Sequence, residues 1–195
     1  MNSRILISIF SVFFVILVTS CDRTEDRTPP KGAEDKKIDT LFKKAGVIRV
    51  QQLKDPIEIV LKDMDGQETK ISDFSGKIIF LNFWATWCVP CRKEMPSMER
   101  LYQKFKGKDF EIIGINLEEP AEFVKEFFEE YKLTFISLLD SSGDVRKRFG
   151  IRAIPVTFIL DKNQRIIGKA IGEKEWDIKE SIALFEFLVN MEGEI

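Results

Sequence analysis

Ile78-Ile79-Phe80-Leu81-Asn82-Phe83-Trp84-Ala85-Thr86-Trp87-Cys88-Val89-Pro90-Cys91 is the stretch on which the fold turns. Its first seven residues are almost continuously apolar, which suits a strand covered on both faces. A helix is expected from about Cys91 to Phe105, with Met95, Met98, Leu101 and Tyr102 on one side. The Cys-x-x-Cys pair therefore falls at a strand-to-helix junction. Two cysteines so spaced bring their sulfurs within bonding reach across one helical turn. Unpaired N–H groups and the macrodipole at a helix start stabilise a thiolate, so Cys88 is expected to be the acidic, attacking sulfur. Pro90 fits the first turn, where a missing N–H does no harm. Cys91, deeper in the helix, is expected to be the more buried, resolving thiol.

Other readings of the pair are weaker on this sequence. Half of a zinc site would want a second cysteine pair or histidines, and the chain has three cysteines and no histidine. No metal and no cofactor are expected. The missing imidazole also removes Ser/His/Asp and Cys/His hydrolysis. A purely structural disulfide would close a very short loop and stabilise little. The 30 basic and 32 acidic residues are interspersed, with a formal net charge of −2, so nothing favours a nucleic-acid partner.

Downstream, Phe110 to Asn116 reads as a second buried strand. Ala121 to Tyr131 reads as an amphipathic helix with Phe123, Val124, Phe127, Phe128 and Tyr131 on one face. Phe135–Leu139 is a short strand and Val145–Phe149 a short helix. Val156–Leu160 and Arg165–Ala170 form a hairpin, and a last helix runs from about Trp176 to Asn190. Upstream, Ile57–Leu61 and Thr69–Ile71 flank an Asp63-Met64-Asp65-Gly66 turn. Parallel strands joined by crossover helices, with antiparallel edges, make an α/β fold: a central mixed sheet flanked by helices, with an N-terminal β-hairpin and a βα insertion.

The beginning of the chain has a different character. Arg4 precedes an apolar run, Ile5 to Val18, too short to span a bilayer comfortably. It ends in Val18-Thr19-Ser20-Cys21, which resembles a bacterial lipobox. Residues 1–20 are therefore expected to be a lipoprotein signal peptide and Cys21 the lipid attachment site, placing the domain outside the cytoplasm. The Asp-, Glu-, Lys-, Thr- and Pro-rich residues 21–46 are expected to form a flexible charged tether, and 47–195 the folded domain.

Asn82 to Pro96 resembles the active-site segment of thioredoxin-like proteins of the TlpA and ResA type, and Gly150-Ile151-Arg152-Ala153-Ile154-Pro155-Val156-Thr157-Phe158 resembles a second signature of that family. These are bacterial, membrane-anchored thiol–disulfide oxidoreductases. The resemblance implies a cis bond at Ile154–Pro155 opposite the cysteines, with Trp87, Val89, Pro90, Ile154 and Pro155 meeting the client protein. It also implies a role for Glu94, three residues after Cys91, in tuning the thiols or relaying a proton; the alternative is an ordinary surface glutamate. Asn82 stands where thioredoxin has a buried aspartate. The implied direction is reduction of protein disulfides, with an apocytochrome c as one candidate client and a CcdA- or DsbD-type membrane thiol carrier as electron donor, in a monomer. A disulfide oxidase or isomerase is the alternative. A peroxiredoxin-like peroxidase lacks its Pro-x-x-x-Thr-x-x-Cys loop here, and a non-enzymatic tethered binding module would leave the cysteines idle.

Overall fold

The computed structural model describes residues 31–51 and 55–191. The elements run α1 (Lys31–Lys44), β1 (Ile48–Arg49), β2 (Val60–Asp63), β3 (Glu68–Lys70), a 3-10 turn (Ile71–Phe74), β4 (Ile78–Trp84) and α2 (Val89–Phe105). They continue β5 (Phe110–Leu117), α3 (Ala121–Tyr131), β6 (Ile136–Asp140), α4 (Asp144–Arg148), β7 (Val156–Leu160), β8 (Ile166–Ile171) and α5 (Lys179–Asn190). One sheet takes the order β1-β8-β7-β4-β5-β6-β2-β3. β4–β5 and β5–β6 are parallel; the other neighbours are antiparallel. The mixed sheet expected from the sequence is present.

Strand β4 is buried at every position because both of its faces are covered. Its side chains alternate between two cores: Ile78, Phe80 and Trp84 in one, Ile79, Leu81 and Phe83 in the other. The first core is rich in aromatics. Phe80 meets Trp176 edge-on at 4.6 Å, and Phe185 lies 5.2 Å from Phe110; such pairs add about 1 kcal/mol each beyond their area. The β2–β3 hairpin forms at its expected turn. Asp63 Oδ1 accepts from the N–H groups of Asp65 and Gln67, both at 2.9 Å, and Gly66 supplies the positive φ of 82°.

The tether expected over residues 21–46 is corrected from Lys31 onward. Those residues form α1, and the turn after it seats Val47 in the core. Averaged over the segment, charge hides the pattern. Ile38, Phe42 and Ala45 nevertheless recur at i, i+4 and i+7, and all three are buried. Gly46, at φ 63°, ends the helix in the left-handed conformation. Arg49 then reaches back to Asp39 at 2.7 Å and Asp35 at 3.2 Å. Midway along α1, Lys37 Nζ lies 4.7 Å above the Phe187 ring of α5. The signal peptide, Cys21 and residues 22–30 lie outside the described residues. No helix among the described residues is long and apolar enough to cross a membrane.

Smaller differences have local causes. Helix α2 starts at Val89 because Cys88 caps it. Phe123 faces solvent, so the buried stripe of α3 is Val124, Phe127 and Phe128. Trp176 precedes α5 as part of a loop stitched to α2: its backbone N–H donates to Ser97 Oγ at 3.0 Å.

Gly168 in β8 lies against Phe42 of α1. A Cβ there would lie 2.5 Å from Phe42 Cε1 and 3.1 Å from Val47 Cγ1. Gly168→Ala is therefore expected to destabilise the fold by about 1–3 kcal/mol in urea unfolding. An unchanged midpoint would mean that Phe42 does not sit there.

Candidate active site

The site is built where β4 stops. After Trp84 the chain turns through Ala85-Thr86-Trp87, and Cys88 becomes the N-cap of α2, its Sγ accepting the Cys91 N–H at 3.3 Å. Pro90 occupies the first turn. Cys88 and Cys91 are joined in a disulfide with their Cα atoms 5.2 Å apart. The two sulfurs are unequal in access. Cys91 has no exposed surface, whereas Cys88, 4% exposed, lines a cleft of about 710 Å³.

That cleft runs between the start of α2, the end of β5 and the loop before β7. Trp87, Val89, Pro90, Leu117, Ile151 and Ile154 give it apolar walls. Trp87 and Val89, on either side of Cys88, are 67% and 60% exposed. Across the cleft, Ile154–Pro155 is cis, and the Ile154 carbonyl oxygen lies 3.8 Å from Cys88 Sγ. The antiparallel register Phe83↔Val156 brings this loop to the end of β4. Pro155, 67 residues after Cys88 in sequence, thus adjoins the cysteines through strand pairing.

Glu94 is not a surface glutamate. One turn after Cys91, its side chain points inward with 1% exposure. Oε1 accepts from Asn82 Nδ2 at 2.9 Å; Oε2 accepts from the Lys174 N–H and from Trp176 Nε1, both at 3.2 Å. Burial pushes its pKa up to about 7, and the three donors only partly offset this. Asn82 also donates to Thr157 Oγ1 at 3.0 Å, tying β4 to β7 beneath the site.

One member escaped sequence reasoning. Glu119 braces the turn before Cys88: Oε2 accepts from the Thr86 N–H and from Asn116 Nδ2, each at 2.7 Å, and Oε1 accepts from the Thr86 hydroxyl. The available signal was position, since acidic residues just after β5 lie beside the end of its parallel neighbour β4.

A cysteine pair at a helix N-cap, with one sulfur on a cleft and a cis-proline loop opposite, can once reduced exchange with a second disulfide through a mixed intermediate. The fold and this site define a thioredoxin-like thiol–disulfide oxidoreductase, and the comparisons agree. Residues 53–169 match the AhpC/TSA family, and the chain belongs to it. It is 40% identical over 121 residues to the thiol-disulfide oxidoreductase ResA of Bacillus thuringiensis subsp. konkukian, covering 62% of this chain and 70% of that one. It is likewise 40% identical over 109 residues to ResA of Geobacillus thermodenitrificans, covering 56% and 63% respectively. Among solved structures it is similar to StoA from Bacillus subtilis (TM-score 0.57, 28% identity, 66% of this chain and 97% of that chain). It is similar also to the thioredoxin domain of a thiol-disulfide oxidoreductase from Bacteroides vulgatus (TM-score 0.62, 27% identity, 70% and 96%).

Proposed function

We propose that this oxidoreductase works as a reductase of protein disulfides outside the cytoplasm, held to the membrane by lipid on Cys21. Cys88 attacks the client disulfide, forming a mixed disulfide and releasing one client thiolate. Cys91 then attacks Cys88, expelling the second client thiolate and leaving the Cys88–Cys91 disulfide. Two electrons from a membrane thiol carrier of the CcdA or DsbD type restore the dithiol. Trp87, Val89, Pro90, Ile154 and Pro155 meet the client, and an apocytochrome c is the candidate client. The protein acts as a monomer. The observation that carries this reading is the unequal access of the two sulfurs at the start of α2, one on the cleft and one sealed.

The reduction potential tests the direction. Thioredoxin lies at about −270 mV and the oxidant DsbA at about −120 mV. Equilibration with glutathione is expected to place the Cys88–Cys91 couple toward the thioredoxin end, and a value near the DsbA end would make the protein an oxidase.

Glu94 is proposed to exchange protons with the dithiol during resolution. Glu94→Gln removes a negative charge near Cys91 and is expected to lower the thiol titrations by about one unit; unchanged titrations would reject the role. Stability supplies a second readout. Because the folded-state pKa of about 7 exceeds the unfolded value, folding binds a proton between about pH 4.5 and 7. The Glu94 contribution is therefore fully present at the acid end of that window and is lost as pH rises through 7. Relative to Glu94→Gln, the wild type is expected to lose about 3 kcal/mol between pH 4.5 and 8.

A further inference from the structure

The bonds around Glu94 distinguish its two oxygens. Oε2 faces Trp176 Nε1–H and the Lys174 backbone N–H, groups that donate and never accept. The loop carrying them is fixed independently, by Trp176 N–H to Ser97 Oγ at 3.0 Å and by Lys93 to Glu173 at 3.7 Å. A proton arriving at the carboxylate therefore has no place on Oε2 and must settle on Oε1. Oε1 faces Asn82 Nδ2, also a donor, so an O–H there would confront an N–H in a site sealed from water.

Asn82 can remove that conflict, because its amide has an acceptor of the same size and shape at the other end. Its Oδ1 is buried and makes no hydrogen bond among the described residues, so no bond on that side opposes rotation. Turned by half a revolution, Oδ1 would accept from protonated Glu94 Oε1 and also from the Thr157 hydroxyl, which itself can donate or accept. We propose that Asn82 is a proton-coupled positioning residue whose side-chain amide turns over each time Glu94 gains or loses a proton, while Trp176 and Lys174 hold Oε2 in place. This deepens the reading of Glu94 as the proton-exchanging group and rests on it. The charged groups facing Glu94 are Glu173 and Lys174 from the loop after β8; β4 and β7 present only the neutral Asn82 and Thr157, and α2 its own Cys91 and Ser97. The half-buried Lys174 ammonium, 5.5 Å above the Trp176 ring, favours the ionised carboxylate and does not reach the Oε1 side through any hydrogen bond.

The test follows two resonances by NMR in the full chain labelled with 13C and 15N, between about pH 5 and 9: the Glu94 carboxyl carbon and the Asn82 side-chain amide. The expected result is that the Asn82 signals move with the Glu94 midpoint. In Glu94→Gln they should stay at their low-pH position throughout, because a glutamine amide at that site donates to Asn82 Oδ1 as the protonated acid does. Asn82 signals that ignore pH while Glu94 titrates would overturn the turnover and leave the role of Glu94 standing. A Glu94 carboxyl that does not titrate in this range would overturn both.

Discussion

Cys88→Ser is expected to abolish reduction of insulin disulfides, at least about a thousand-fold, while Cys91→Ser is expected to capture a client and fail to release it. The asymmetry follows from access. A client can reach only the sulfur that lines the cleft, and that is Cys88. A serine hydroxyl there is neither ionised near neutral pH nor able to form the mixed disulfide. Cys91, without exposed surface, receives nothing from outside; in the proposed mechanism it attacks Cys88 from within the same helical turn. Without it the mixed disulfide has no internal exit. Cys91→Ser should therefore accumulate a covalent complex with a model disulfide peptide, seen as a mass shift that dithiothreitol reverses. A Cys88→Ser protein as active as the wild type would sink the mechanism, as would trapping by Cys88→Ser in place of Cys91→Ser.

The second large effect concerns folding. Phe42→Ala is expected to destabilise the protein by about 3–5 kcal/mol, because it leaves a ring-sized void between α1 and β8. Against the 5–15 kcal/mol that typically holds a domain together, this is a large share. Urea unfolding measures it. A change under about 1 kcal/mol would mean that α1 contributes little to the core and that the charged tether expected from the sequence is the better description.

How much could be read in advance depended on whether the signal was local. The apolar run of β4 and the cysteines after it announce a buried strand and a helix start within fourteen residues, and both form. Phe42 and Ile38 were as regularly spaced as any core residues, but the lysines and aspartates around them dominated the composition, and their partner Gly168 lies over a hundred residues away. Glu94 was legible as a member of the site through the family resemblance of its segment. Its burial was not, because the groups that receive it, Trp176 and Lys174, come from a loop at the far end of the chain. Glu119 was missed for a similar reason: its partner Thr86 is adjacent only once β4 and β5 lie side by side.

The docking of α1 bears on how the protein would stand on a membrane. The turn after it places Gly46 beside Lys174 and the Glu94 network, and Lys37 at its middle meets Phe187 in α5, so the helix begins toward the far end of α5, where Lys162 Nζ donates to the Val189 and Met191 carbonyls. If Cys21 carries lipid as proposed, the nine residues between it and α1 span at most about 30 Å, less than the width of a body about 40 Å across. The molecule would be fastened by its foot with the dithiol turned toward open solvent. Soluble clients would meet it directly, and a donor embedded in the bilayer would have to rise to it or wait for the body to topple.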